Sequence, residues 1–243
     1  LPDLHYEHPR LAAIYDLDSG WSEDRDFFVS LAGEGGKHVL DLGCGTGLLC
    51  DAYAALGHAV TGVDPSMAML DVGRQRPHGG EIEWVQSSAQ DFRSAKRFDL
   101  IIMTGHAFQV LLGEADILAT FATMRDHLTP DGLIVFESRN PAIDWRARWH
   151  GSTAEFAVDG IVVREAYEVL AHTNDRIAFE TRYSFPDEVL VSSSELRFLS
   201  LAEIENYVQV SGLQVKKICG DWKEGPFISN SSDEMIFFVG YAE

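Results

Sequence analysis

The chain is short of positive charge. Its 19 Lys and Arg stand against 38 Asp and Glu, a formal net charge of -19 over 243 residues, and such a surface repels a phosphate backbone rather than neutralising it. The basic pairs Lys96-Arg97 and Lys216-Lys217 are too small to reverse that, so nucleic acid is not the expected partner. Long apolar runs are missing too, which excludes a membrane-spanning helix, and no basic amphipathic stretch points to a lipid surface. Cysteine is scarce: Cys44, Cys50 and Cys219 show no CxxC spacing, and their odd number argues against a disulfide framework. The histidines form no HxxxH or HxH pair, so no metal is expected. Leu1-Pro2-Asp3-Leu4-His5 has neither the charged nor the apolar region of a leader, and reduced thiols in a cytoplasm are the expectation.

What is present reads as one α/β domain with an elaboration. Residues 8–32 show helical periodicity in two pieces, broken near Ser19-Gly20, and Gly33, Gly35 and Gly36 then loosen the chain. From there short apolar runs alternate with helical ones: strands at Val39–Leu42, Ala59–Val63, Ile82–Val85, Leu100–Met103 and Leu133–Phe136, helices at Gly47–Leu56, Ser66–Arg76 and Glu114–Leu128. Strands this apolar are buried on both faces, which predicts a parallel sheet wound with helices on either side. After Pro141 the texture changes to period 2, as in Ala178-Phe179-Glu180-Thr181-Arg182-Tyr183, and predicts antiparallel strands. A last helix, Leu201–Val210, stops at Gly212, and strands Gln214–Cys219 and Met235–Gly240 pair antiparallel at the sheet edge. The expected organisation is an N-terminal helical cap (1–36), a core (37–141 and 200–243) and a β insert (142–199) that forms part of a substrate pocket.

The informative stretch is Val39-Leu40-Asp41-Leu42-Gly43-Cys44-Gly45-Thr46-Gly47, a strand running through three alternate glycines into a helix. Glycine lets the backbone turn sharply and approach a ligand, and the helix start adds N–H donors. Asp64 ends the next strand, where a carboxylate can accept from both ribose hydroxyls of a nucleoside. A dinucleotide fingerprint needs glycine or alanine where Leu48 stands, and Asp41 is unwelcome beside a pyrophosphate. The same acid suits a ligand carrying an ammonium and a sulfonium.

Asp41 to Gly47 resembles the first motif, D-x-G-x-G-x-G, of the class I S-adenosylmethionine-dependent methyltransferases, and the order of elements is similar from about Tyr15 onward. The resemblance implies a Rossmann-like, mostly parallel seven-stranded sheet with its last strand antiparallel, and S-adenosyl-L-methionine as cofactor, leaving S-adenosyl-L-homocysteine. It implies that Asp41 lies near the methionine end, that Gly43, Gly45 and Gly47 line it, and that Asp64 holds the ribose. Pro65, Ser66 and Met67 resemble the loop that follows, with Met67 packing on adenine. Ser88-Ala89-Gln90-Asp91-Phe92 resembles the segment whose acid meets the adenine amino group; that places Ala89 and Gln90 in the site and makes Asp91 the candidate acid, although a solvated cap is the plain alternative. Met103 and Thr104 are implied to line the cofactor.

His106 then has two readings, general base or structural loop histidine. Arg139, at the carboxyl edge, either holds an anionic substrate group with Trp145 or Trp149 as pocket wall, or pairs with a neighbouring carboxylate while both Trp pack on the insert. Tyr15 and Trp21 are either a lid over the cofactor or ordinary helix packing. The expected activity is methyl transfer to a nitrogen, oxygen or carbon of a small molecule by a monomer or homodimer. A non-catalytic binder of the cofactor and a tRNA or protein methyltransferase remain as alternatives, the RNA reading weakened by the acidity.

Overall fold

The computed structural model describes residues 3–158 and 160–242, so the ends of the expected cap and core, Leu1, Pro2 and Glu243, and Asp159 within the insert lie outside the described residues. Four helical segments come first: α1 (Leu4–Glu7), α2 (Pro9–Ala12), α3 (Tyr15–Asp18) and α4 (Glu23–Ala32). The first piece of the expected helix is thus two single turns, α2 and α3, and α1 precedes it. The residue before a proline is pushed out of the helical region, and His8 is extended ahead of Pro9, which itself has no N–H to continue α1.

β1 (His38–Leu42), α5 (Leu48–Ala55), β2 (Ala59–Asp64), α6 (Met67–Gly73), β3 (Glu83–Gln86), β4 (Phe98–Met103), α7 (Glu114–His127) and β5 (Leu128–Arg139) follow as the alternation predicts, with β5 running further in both directions than its apolar stretch. The insert opens with a helix the β-rich reading did not foresee, α8 (Trp145–Trp149), capped by the Asp144 carboxylate accepting from Ala147 N–H at 3.0 Å. β6 (Thr153–Val158), β7 (Ile161–Thr173), β8 (Arg176–Ser184) and β9 (Val189–Arg197) then form a four-stranded antiparallel sheet. α9 (Leu201–Val210) carries a capping box at Ser200 and Glu203 and ends at Gly212, whose φ is +78°.

With β10 (Leu213–Cys219) and β11 (Glu234–Tyr241) the main sheet has seven strands in the order β10-β11-β5-β4-β1-β2-β3. β11 runs antiparallel to both neighbours and the other pairings are parallel. Two-sided burial explains the apolar runs. On β5, Ile134 and Phe136 pack with Phe121 of α7 and Ile204 of α9, while Leu133 and Val135 pack with Phe28 of α4 and Tyr53 of α5. The insert sheet takes its own apolar partners from the cap: Leu11 and Ile14 pack on Val163, Tyr183 and Phe185.

Trp84 of β3 fixes the spacing beside the first crossover. Its indole donates to Gly79 O at 2.9 Å, and a Cβ placed on Gly47, Gly62 or Gly73 would meet its ring at 2.3, 2.9 or 2.7 Å. Gly47→Ala, which adds this clash to a φ of +73°, should cost about 2–4 kcal/mol of stability. Urea titration would measure it, and the cost should shrink in a Trp84→Leu background because the two positions share one space.

Candidate functional site

Two adjoining cavities open at the carboxyl ends of the parallel strands, where open α/β sheets bind ligands. The smaller, of about 380 Å³, is walled by the glycine turn after β1, the end of β2, the segment after β3 and the loop after β4. Gly43 and Cys44 N–H both donate to Val63 O, at 2.7 and 3.0 Å, which folds the turn back over β2. Gly45 N–H donates to Asp64 Oδ2 at 2.9 Å, and Ser66 N–H to Asp64 Oδ1 at 2.8 Å.

These residues suit an adenosyl ligand bearing a cationic tail. Each Asp64 oxygen accepts one backbone N–H and keeps a lone pair, the capacity needed for two neighbouring hydroxyls. A Cβ on Gly45 would meet nothing within 4 Å, so that glycine faces open space. Asp41 is 1% exposed; its Oδ2 accepts from the Cys50 thiol at 3.5 Å, and its Oδ1 has no partner. Burial pushes its carboxyl up to about 7, against the opposing Cys50 bond and the more distant Arg25, so the fold holds here an acid without a salt-bridge partner among the described residues.

Of the residues expected at a cofactor, Tyr15, Asp41, Gly43, Gly45, Asp64, Pro65, Ala89, Gln90, Met103 and Thr104 share this wall. Gly47, Ser66, Met67 and Asp91 do not. Gly47 is turned toward Trp84. Ser66 is taken up locally, its hydroxyl donating to Tyr6 O at 2.7 Å and capping α6 through Met69 N–H at 3.2 Å. Met67 is 39% exposed, with Arg74 against its sulfur, and Asp91 accepts from Ser88 Oγ at 2.7 Å at the surface. The sequence reading missed Tyr6 and Arg25, which line the cavity from the cap. Tyr6 lies before the helical periodicity begins, and no local pattern marks it.

The cap is tied to the glycine turn. Asp16 of α3 pairs with Arg76 and accepts from Thr46 Oγ1, and Arg76 Nε also donates to Thr46 O at 2.6 Å. Tyr15, next in the chain, lines both cavities, as do Gly105 and Arg25.

The larger cavity, of about 720 Å³, lies between cap, core and insert, and its wall mixes the acids Asp3, Asp18 and Asp24 with tyrosine, tryptophan and phenylalanine rings. His106 reaches it from the loop after β4, at a φ of +61°. Its N–H donates to Glu137 Oε1 at 2.8 Å, and its Nε2 lies 3.0 Å from Glu234 Oε2. Burial lowers the ring's pKa despite that carboxylate, so the neutral imidazole is favoured. A carboxylate only accepts, so Nε2 carries the proton and Nδ1 keeps its lone pair.

Arg139 also lines this cavity, but it does not pair with a carboxylate as one sequence reading had it. Its Nη1 donates to the Gln109 amide oxygen at 3.0 Å, and the guanidinium lies 4.9 Å from the Trp149 ring and 5.5 Å from that of Trp145. Trp149 is part of the wall while packing on Phe179 and Phe198 of the insert; Trp145 is buried behind it, donating to Asn140 O at 2.8 Å. Trp21 is half exposed at the rim, bonded to Asp26.

Residues 39–132 match the family model of a methyltransferase domain. The chain is 24% identical over 205 residues to the cypemycin N-terminal methyltransferase of a Streptomyces species, covering 83% of this chain and 82% of that one. It is 34% identical over 113 residues to a ubiquinone biosynthesis O-methyltransferase of Actinobacillus pleuropneumoniae, covering 43% of this chain and so spanning only 47% of that relative. Among solved structures it shares its fold with the sugar N-methyltransferase of a Streptoalloteichus species, with a TM-score of 0.76, 18% identity and coverage of 94% and 93% of the two chains.

Glu137 sets a pH dependence. Burial, with Glu234 and Asp24 adding like charge, pushes it up to about 8 against the opposing His106 N–H bond, and its Oε2 has no partner. The folded chain therefore keeps a proton that the unfolded chain has already lost between about pH 4 and pH 8, so this group's contribution falls as pH rises through that window. Glu137→Gln keeps an oxygen for His106 N–H; it should flatten the decline in melting temperature from pH 5 to 8 and add about 1–3 kcal/mol at the alkaline end.

Proposed function

We propose that this chain, which belongs to the class I S-adenosylmethionine-dependent methyltransferases and uses S-adenosylmethionine as its cofactor, methylates an amine of a small polar molecule. Bound S-adenosylmethionine supplies a methyl group already activated on a sulfonium, so the protein's task is to position the acceptor, keep water out and take a proton.

The carrying observation is the neutral, oriented imidazole of His106 in the wall of the larger cavity, next in the chain to Gly105, which lines both cavities. In this reading Asp64 holds the ribose and Asp41 neutralises the ammonium of the methionine end. The larger cavity takes the acceptor, between the cap (1–36) and the insert (142–199). An amine arriving protonated has no lone pair to attack with, and His106 Nδ1 is the group placed to accept its proton. Glu234, bonded to Nε2, stabilises the imidazolium that results.

Nitrogen is preferred over oxygen because Asp3 and Asp18 stand among aromatic rings in the wall, a setting that attracts ammonium groups. One of the similar proteins, aligned along most of its length, is named a sugar N-methyltransferase, and another is named for methylation at an N-terminus. No helix of the described residues is long and apolar enough to cross a membrane, and Cys44, Cys50 and Cys219 are all unpaired thiols, which fits a reducing cytoplasm.

Equilibrium binding of labelled S-adenosylmethionine tests the first step. Asp64→Ala should abolish measurable binding, and Asp41→Asn should weaken it about 10–100-fold, as expected for one charge-assisted contact of about 1.5–3 kcal/mol. A panel of small amines and matched alcohols tests the second. Transfer should be found with amines, and His106→Ala should lower kcat by about 10²–10⁴ without changing cofactor affinity. Transfer to alcohols alone, or tight cofactor binding with no transfer across the panel, would sink the amine reading.

A further inference from the structure

Along β7 the side chains of Val163, Glu165 and Val169 are buried while Arg164 and Glu168 are exposed. The period-2 alternation thus carries a carboxylate onto the face that packs against the cap, one step from Val163, which touches Leu11 and Ile14. Glu165 is 1% exposed, and neither of its carboxylate oxygens has a hydrogen-bond partner of normal geometry among the described residues. Tyr183 stands opposite it on β8. After burial itself, the groups acting on it most strongly are Asp18 of the cap, which brings like charge, and the hydroxyls of Tyr167 and Tyr183, which lie close enough to bond to the carboxylate and oppose the rise, so hydroxyls but no cation face it.

A carboxylate removed from water with no cation is costly, and the ordinary remedy, a nearby arginine, stands elsewhere in this cavity at the half-buried Arg139. Replacing Glu165 by an apolar residue would suit the packing of Val163 and Val169 better. Asp18, Tyr167 and Tyr183 all line the acceptor cavity, so the carboxylate is set directly behind the wall that meets the acceptor. We propose that Glu165, Asp18, Tyr167 and Tyr183 form a cation subsite that binds the acceptor through a protonated amine. Glu165 supplies its negative charge from immediately behind the wall, Asp18 adds charge at the rim, and the two tyrosines meet the ammonium with hydroxyls and ring faces. The inference rests on the reading of the acceptor as an amine and adds where its charge is held.

Cyclohexylamine and cyclohexanol offer the same ring with and without a positive charge. Burial and Asp18 push the Glu165 carboxyl up, so the comparison is made at about pH 8, where alkaline buffer favours its ionised form. With S-adenosylhomocysteine saturating, calorimetry should find the amine bound at least about tenfold tighter than the alcohol, the size of one charge-assisted hydrogen bond. Glu165→Gln should remove most of that preference and Asp18→Asn part of it, with cyclohexanol and S-adenosylhomocysteine affinities unchanged. Free Glu165→Gln protein should also melt above the parent, because a neutral amide needs no countercharge; a carboxylate kept for structure would give a lower melting temperature. Equal affinities for the two probes, a preference untouched by Glu165→Gln, or a lowered melting temperature each overturns the subsite. The charge preference with no methyl transfer to any amine overturns the amine-methylation reading and leaves the subsite standing, and transfer with no charge preference does the reverse.

Discussion

The carboxylate of Asp64 holds the site together. It accepts from Gly45 N–H on one side and from Ser66 N–H on the other, so the turn after β1 and the loop after β2 share one anchor. Without it the turn's donors would face a cavity rather than a partner, and the buried loop would carry unpaired backbone groups. Everything else at the smaller cavity is placed relative to this pair of loops: Asp41 beneath the turn, the cap strapped over it through Asp16, Thr46 and Arg76, and Ser66 bonded to the backbone of Tyr6.

Around that anchor the fold keeps acids that, among the described residues, have no salt-bridge partner. Asp41, Glu137 and Glu165 are each about 1% exposed, each has at least one oxygen without a partner, and in each burial is the largest cause of a raised pKa. The three sit on β1, β5 and β7, the first two ending toward the ligand edge of the main sheet and the third on the insert face that closes it. Stability given up at one place is ordinarily recovered by packing, and here two aromatic-rich clusters on opposite faces of the main sheet, including the stacked rings of Phe136 and Phe237, do that. The pattern is that of a protein whose stability is arranged around charged guests.

Much of this was legible in the sequence. Two-sided strands have to be apolar throughout, so β1, β2, β4 and β5 announced a covered parallel sheet, and Gly212 marked the end of α9. Spacing also singled out Asp41, Gly45 and Asp64, because a turn between two strands leaves few positions able to meet a ligand. It failed where the deciding partner is remote in sequence. Nothing around Gly47 reveals that Trp84 lies against it, and nothing around Ser66 reveals that Tyr6 takes its hydroxyl. The apolar spacing of Leu11 and Ile14 reads the same in one helix as in two turns. Glu165 was invisible for the same reason: a glutamate in an alternating strand is ordinarily taken for the wet side, and only the register with β8 shows it inside.

The slot around Trp84 has a consequence for how such sequences drift. Gly47, Gly62 and Gly73 come from a loop, a strand and a helix, yet one indole makes all three intolerant of a side chain. A lineage that shrank the ring would release the three sites at once, and one that kept it would hold them fixed together. Gly47 would then be retained through its neighbour on β3, by a selective route independent of whatever occupies the turn, so homologous chains with a small residue at position 84 are where the third glycine of the motif is free to disappear.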